Sequence, residues 1–336
     1  MTRRRPAAAI LAGAALALAA CGGGEGGAAT VVTPEPEVTP APAAPAGPAA
    51  TPTDTCADGL APLASYEPTF ALPEPNEMPG DTYLQTIQDR GRLVVGVSAD
   101  TLLFGARDPI VGEIEGFDID VLRAVADAIF GAREKGEPDN IEFKVITYAQ
   151  RLPSLQEGTV DLVAHTMTIN CTRWEDIAFS TEYFTAGQSL LVRLGSGIER
   201  PEDFGPDDRV CVAAGSTNLE EMERSYPDVA LEIVPDLTDC LVLFQQSAVT
   251  AITGDNVVMA GFAAQDPYGV PTSELFTTEP YGIGASHAHP ELIEFVNLVL
   301  EEMRTDGRLL DIGEHWLEDA APTEVPPAVY GREPRG

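Results

Sequence analysis

From Leu93 to about Arg304, short apolar segments alternate with amphipathic ones, and nothing else in the chain constrains the fold as much. Leu93-Val-Val-Gly-Val97 is an unbroken apolar run, as expected of a strand buried on both faces of a parallel sheet. A loop from Ser98 to Gly116 follows. Gly116-Phe117-Asp118 then opens a helix with Ile119, Leu122, Val125, Ala126 and Ile129 at helical spacing. Ile141 to Ile146 and Val160 to Ala164 read as strands, with a helical turn from Arg151 to Gln156 between them. After Phe184 the rhythm restarts. Strands are predicted at Ser189–Val192, Arg209–Ala213, Leu231–Val234 and Val249–Thr253, with helices at Thr238–Gln246 and Asp255–Ala264. A strand at Tyr281–Ala285, an amphipathic helix over Glu291–Arg304 and a last helix over Gly307–Leu317 complete the series. Nearer the start, Asp81 is predicted to cap a short helix reaching Gln88, which Gly91 ends. The alternation predicts an α/β fold of helix-covered parallel sheets in two lobes.

The chain before this has a different character. Arg3, Arg4 and Arg5 precede an apolar run from Ala7 to Ala20 that is too short to span a membrane. Leu18-Ala19-Ala20-Cys21 has the form of a lipoprotein signal-peptidase site. Residues 1–20 are therefore expected to be a lipoprotein signal peptide. Cys21 would be the lipidated first residue of a mature chain anchored on the extracytoplasmic face of the cell membrane. Residues 21–60, mostly Gly, Ala, Pro, Thr, Val and Glu, cannot bury enough apolar surface to offset the entropy of ordering, and a disordered tether is expected. The Pro-rich end, residues 321–336, is expected to be a loose tail.

Between tether and tail lie about 250 residues, enough for one large core or two medium ones. The 53 acidic and 20 basic residues give a net charge of −33, and losing Arg3 to Arg5 with the signal peptide takes it to −36. So negative a chain is not expected to bind nucleic acid. Besides Cys21, the cysteines are Cys56, Cys171, Cys211 and Cys240, which in an exported chain predict two disulfides in one of three pairings. No Cys-x-x-Cys occurs, and His287 and His289 read as part of a solvated loop. Neither a metal nor any other cofactor is expected.

The stretch richest in chemistry is Leu162-Val-Ala-His-Thr-Met-Thr-Ile-Asn-Cys-Thr-Arg-Trp174, followed by Ile177-Ala-Phe-Ser-Thr-Glu-Tyr-Phe184. A buried strand runs into polar Thr166, Thr168 and Asn170, and Thr172 is predicted to cap a short helix holding Arg173 in its first turn. An arginine beside hydroxyls and backbone N–H groups makes a carboxylate site, because the planar guanidinium holds two oxygens at once. On residue type alone, the other reading is a solvated arginine on a helix face.

Asp161-Leu162, Thr166-Met-Thr168, Arg173 and Phe179-Ser180 together resemble the extracellular solute-binding proteins that feed amino acids to ABC importers, over roughly Thr82 to Leu317. The resemblance implies a two-lobe periplasmic-binding-protein (Venus-flytrap) fold with two chain crossovers at the hinge. Residues 61–185 and 286–320 would form lobe one, and residues 186–285 lobe two. It implies that Arg173, with Thr168 and the Thr166 backbone, grips a ligand α-carboxylate and that Asp255 receives the ammonium. Read alone, Asp255 is as well a helix N-cap. Ser216 and Thr217, at a helix start, would offer backbone N–H groups from lobe two. Arg151, in Tyr148-Ala-Gln-Arg-Leu-Pro-Ser-Leu-Gln156, lies where relatives that bind acidic amino acids place a second arginine, and Tyr148 is counted with it. Asp100 and Phe104 match positions that meet the side chain in glutamine-binding relatives. Ala213 and Gly254 replace the lysine and histidine those relatives carry.

With the lobes so assigned, an interlobe disulfide would restrain the hinge, which leaves Cys211–Cys240 and Cys56–Cys171. The expected function is that of a lipid-anchored, monomeric receptor with no catalytic residue. It would bind a polar amino acid, glutamate or aspartate ahead of glutamine or asparagine, and deliver it to an ABC permease and ATPase. Two other readings stand beside it. One is an exported sensor that signals to a membrane partner. The other is a dehydratase on the same fold, which needs an acid or base aimed at a leaving group.

Overall fold

A computed structural model of the chain describes residues 55–132, 140–317 and 324–335. The expected signal peptide, the lipidation site Cys21 and the tether as far as residue 54 lie outside the described residues. Leu93–Val97, buried at every position, lies between Ile141–Val145 and Leu162–Val163 and runs parallel to both. Gly284–Ala285 and Ala178–Phe179 extend this sheet antiparallel, beyond Leu162–Val163. The helices Phe117–Phe130 and Pro290–Asp306 bury the stripes read from the sequence, among them Leu122, Val125, Phe295 and Val299, in the core around it.

Lobe two repeats the design. Arg209–Ala213 lies between Ala230–Val234 and Ala251–Asp255, parallel to both, and Gln188–Arg193 and Gly269–Pro271 extend the sheet antiparallel. In each sheet the chain places the next strand on one side of the central one and the following strand on the other. That order opens a crevice at the carboxyl ends, where α/β sheets hold ligands. The two crevices face each other across the hinge, in which Phe184–Ala186 pairs antiparallel with Glu279–Tyr281. The fold is thus the two-lobe periplasmic-binding-protein architecture with two crossovers. Among the described residues no helix is long and apolar enough to cross a membrane.

Several boundaries differ from the sequence reading. Lobe two ends at the hinge strand Glu279–Tyr281 rather than at residue 285, because Gly284–Ala285 already pairs with Leu162–Val163 and Ala178–Phe179 of lobe one. The helix Tyr83–Arg90 is capped by Thr82, whose hydroxyl accepts from the Gln85 N–H at 3.2 Å, and not by Asp81. The helix Cys171–Asp176 is capped by Asn170, whose Oδ1 accepts from the Arg173 N–H at 2.8 Å, and not by Thr172. Both true caps sit one residue before the helix in extended backbone, as capping geometry requires. The loop after Ser98 is a small meander of Asp100–Thr101, Gly105–Arg107 and Ile114–Glu115.

Residues 55–60 and 324–335 are more ordered than their composition suggests. Cys56 is buried and bonded to Cys171, so residues 55–60, expected to belong to the tether, start the folded part. Of the expected loose tail, residues 324–335 are docked. Tyr330–Arg332 adds a parallel strand beside Ser65–Tyr66, and the Arg332 guanidinium lies 4.2 Å from the centre of the Trp174 ring. Side-chain anchors outweigh the proline content there. His287 and His289 are likewise engaged: Tyr66 meets His287 at 3.1 Å, and His289 stacks on Tyr83 with ring centres 3.7 Å apart.

The disulfides are Cys56–Cys171, within lobe one, and Cys211–Cys240, within lobe two, with Cα separations of 5.1 and 5.4 Å. Cys211 and Cys240 are 29 residues apart, a loop whose closure is worth about 3–4 kcal/mol by chain entropy. The double variant Cys211→Ala/Cys240→Ala is expected to lose stability of that order in urea denaturation. A loss below about 1 kcal/mol would show that the bond adds little to lobe two.

Candidate functional site

Residues from four strand ends meet in the cleft. In lobe one, the chain leaving Leu162–Val163 turns through Thr166, a non-glycine residue at φ 41°. Such backbone costs on the order of 1–3 kcal/mol unless its surroundings hold it. They do: the Asp118 carboxylate accepts from the Thr166 N–H at 2.9 Å, and Arg151 Nη1 donates to the Thr166 carbonyl at 3.2 Å. The turn sends Thr168 and then the Asn170-capped helix toward lobe two. Arg173, buried, donates from Nη1 to the Thr168 carbonyl at 2.7 Å and from Nη2 to the Gly215 carbonyl of lobe two at 3.3 Å. A guanidinium carries five N–H groups. Three of those on Arg173 therefore have no partner among the described residues.

Arg151 is held differently. Its Nε donates to the Tyr148 carbonyl at 3.0 Å, Nη1 to the carbonyls of His165 at 3.0 Å and Thr166, and Nη2 to that of Gly215 at 3.0 Å. The guanidinium also lies 4.6 Å from the centre of the Tyr148 ring. Burial and the neighbouring Arg173 charge pull its pKa down to about 9, which leaves it charged at neutral pH. Sequence reasoning gave Arg151 to a ligand carboxylate. In the structure four backbone carbonyls take most of its hydrogen-bonding capacity.

Lobe two contributes Gly215, Ser216, Thr217 and Asp255. Ser216 caps the helix Thr217–Ser225: its hydroxyl accepts from the Leu219 N–H at 3.1 Å and donates to the Ala213 carbonyl at 2.7 Å, so only its backbone N–H is left to donate to a ligand. Gly215 needs its lack of a side chain. Its φ is +74°, and a Cβ would lie 2.9 Å from the Ala149 Cα of lobe one. Asp255 stands at the N-cap position of Asn256–Ala263 but makes no capping bond with its side chain. Its carboxylate accepts instead from Asn218 Nδ2 at 2.8 Å and the Tyr281 hydroxyl at 2.5 Å, which removes the ordinary N-cap reading. Burial, reinforced by the Glu279 charge, raises its pKa to about 7.

Glu279 of the hinge was not found from the sequence. Its Oε2 accepts from Thr168 of lobe one at 2.6 Å and from Thr217 of lobe two at 2.7 Å, and its Oε1 from Thr277 at 2.5 Å. The two hydroxyls from opposite lobes are 3.3 Å apart. Glu279 and Tyr281 alternate along one strand and so share a face. That spacing was the available signal. Asp118 was also missed, since an acid in a first helical turn reads as a partner of the helix dipole. It is buried, with its pKa raised to about 6 by desolvation, and it accepts from the Tyr183 hydroxyl at 2.6 Å. His165 packs on Tyr148, and burial and the Arg151 charge lower its pKa to about 3, keeping the ring neutral.

Two predicted residues lie further out. Asp100 is exposed at the cleft rim, where it accepts from Ser98 at 2.8 Å and, across the lobes, from Thr238. Phe104 is fully buried against Phe117, Phe184 and Tyr281, where it backs the hinge strand. The structure thus gathers Arg173, Thr168, Thr166, Arg151, Tyr148 and Thr217 closely and joins Asp255 to them through the hinge. This arrangement has a guanidinium with open donors on one lobe and a carboxylate on the other.

Residues 93–319 match the model of the bacterial extracellular solute-binding proteins, family 3. The chain is 35% identical over 236 residues to the ABC transporter glutamine-binding protein GlnH of Bacillus subtilis, covering 70% of this chain and 85% of that one. It is 32% identical over 236 residues to the glutamate-binding protein GluB of Corynebacterium glutamicum, covering 68% and 79%. Among solved structures, the ancestral amino acid-binding protein AncCDT-1, a precursor of cyclohexadienyl dehydratase, is 30% identical with a TM-score of 0.63, over 70% of this chain and 99% of that one. Sheet order, hinge and match agree, and the chain belongs to the bacterial extracellular solute-binding proteins, family 3.

Proposed function

We propose that this protein is a receptor that closes on a free polar amino acid and delivers it to an ABC importer. The observation that carries the reading is the opposition of Arg173, with three N–H groups open among the described residues, to Asp255, whose carboxylate is held by Asn218 and Tyr281 rather than spent on a helix cap. A zwitterion satisfies both groups at once, and only with the lobes together, so binding favours closure. The names of the relatives GlnH and GluB support an amino-acid ligand.

For the ligand side chain, glutamine takes first place and glutamate second, the reverse of the preference drawn from Arg151 in the sequence. One N–H of Arg151 has no partner among the described residues, which suits a single acceptor such as an amide oxygen better than a two-oxygen grip. The cleft also encloses the carboxyl groups of Asp118, Asp255 and Glu279 against the two guanidiniums of Arg151 and Arg173. A further negative charge is unwelcome among them. By calorimetry against the twenty amino acids, glutamine is expected to bind at least tenfold more tightly than glutamate, or about 1.4 kcal/mol. Arg173→Ala should cost every ligand on the order of 3–5 kcal/mol, because an α-carboxylate would be left unpaired in a buried site. Tighter glutamate binding would return Arg151 to a side-chain-carboxylate role. Conversion of prephenate by the purified protein would replace the receptor reading with an enzymatic one.

The Asp255 pKa of about 7 gives opposite pH trends to the free and bound states. A carboxyl group raised in the folded state contributes most to stability when protonated, and that contribution is lost as pH rises through the raised value. The free protein is therefore expected to gain thermal stability as pH falls from 8 to 6. The ammonium needs the ionised form, so ligand affinity should fall over the same range, by at most tenfold per pH unit. Asp255→Asn should weaken binding and flatten both trends. Parallel pH profiles in wild type and variant would remove Asp255 from the ammonium site.

We also propose that Cys21 carries the lipid anchor, on the strength of Leu18-Ala19-Ala20-Cys21 after an apolar run. In a bacterial host the wild-type chain should partition with membranes and incorporate labelled palmitate. Cys21→Ser should do neither, and equal labelling of both would place the lipid elsewhere.

A further inference from the structure

The helix that carries Arg173 is only six residues long, Cys171–Asp176. A helix of that length has too few internal bonds to hold its own direction. Its orientation is fixed from outside, and much of what fixes it lies beyond the family match at residues 93–319. From the N-terminal side, Cys56 is bonded to Cys171, and the Pro62 carbonyl accepts from Trp174 Nε1 at 2.8 Å. From the C-terminal side come two arginines. Arg332, buried, lies over the Trp174 ring, donates from Nε to the Ala64 carbonyl at 3.0 Å and pairs with Asp58. Arg335 donates to the carbonyls of Trp174 at 2.6 Å and Glu175 at 2.8 Å. Those carbonyls belong to the last turn of the helix, where a cation also meets the negative end of the dipole.

We propose that Arg332 is a positioning residue for Arg173, and that the C-terminal segment is a brace that sets ligand affinity by fixing the helix through the Trp174 ring and the last-turn carbonyls. Trp174 is the link. It follows Arg173 directly, and Arg332 holds one face of its ring. Without the guanidinium the indole keeps its bond to Pro62 but loses that support, and Arg173 gains freedom in the direction that matters for a two-oxygen grip. Arg335 acts on the same helix by closing its end.

The proposal rests on the receptor reading, and the test separates the two. Calorimetry on the full chain against the twenty amino acids comes first. A wild-type protein that binds none of them overturns the receptor reading, and this proposal with it. If the wild type binds, Arg332→Gln is expected to weaken every bound amino acid by the same factor, about tenfold, because all share the α-carboxylate. A lesion elsewhere in the pocket would change their ranking. In an Arg173→Lys background, which keeps the charge but not the fork, Arg332→Gln should cost less than about twofold, since its effect passes through the missing fork. Amide hydrogen exchange should quicken in residues 171–176 of Arg332→Gln while lobe two stays unchanged. Equal affinity of wild type and Arg332→Gln, the same loss in both backgrounds, or unaltered exchange in 171–176 would each overturn the proposal. Should Arg332→Gln fail to fold, Arg335→Ala, at an exposed position, takes its place with the same expected pattern at smaller amplitude.

Discussion

Two guanidiniums cut off from water in one cleft are the constraint on which this structure turns. Arg151 and Arg173 are both buried, burial lowers the pKa of each and the Arg173 charge lowers that of Arg151 further, and no carboxylate pairs directly with either among the described residues. Backbone carbonyls hold them: those of Tyr148, His165, Thr166 and Thr168 from lobe one and that of Gly215 from lobe two. This explains local features that are unfavourable in isolation. Thr166 adopts left-handed backbone, and its carbonyl accepts from Arg151. Gly215 has no side chain, so its carbonyl can come up against lobe one without striking Ala149. The buried acids Asp118, Asp255 and Glu279 then balance the field at a distance, each through hydroxyl donors rather than ion pairs.

That arrangement divides the labour between the two arginines. Arg151 gives four of its five N–H groups to carbonyls that its own lobe and the facing loop supply, so it mainly ties the Tyr148 segment to the Thr166 turn. Arg173 keeps most of its donors open, and so is the one suited to an incoming anion. Glu279 adds a second division. Because it accepts the protons of Thr168 and Thr217, both hydroxyls are left with lone pairs toward their other neighbours. The three groups join both lobes to the hinge strand in one hydrogen-bonded cluster.

Much of this was legible in the sequence. The buried central strands, the amphipathic helices and the restart of the rhythm after Phe184 are local patterns, and burial on both faces leaves a parallel strand little choice of composition. Arg173, Thr168, Arg151 and Asp255 were visible through the resemblance of their segments to the solute-binding proteins, since residue type alone leaves Arg173 a solvated arginine and Asp255 a helix cap. What stayed hidden depends on partners distant in the chain. Glu279 acts through residues 62 and 111 positions away, and Asp118 through Thr166 and Tyr183. A single window holds no trace of those pairings. The order of the last twelve described residues was missed for the same reason. Their composition is that of a tail, and only the Trp174 ring and the carbonyls beside it turn Arg332 and Arg335 into anchors.

The placement of the two outer described segments has a mechanical consequence. Residues 55–66 and 324–335 both fasten to lobe one, by a covalent bond at Cys171, a shared strand pair and the two terminal arginines. Lobe two is connected to the rest of the chain backbone only through Phe184–Ala186 and Glu279–Tyr281. A pull on either of those segments is thus carried by lobe one and bypasses the hinge. Load entering there neither opens nor shuts the cleft.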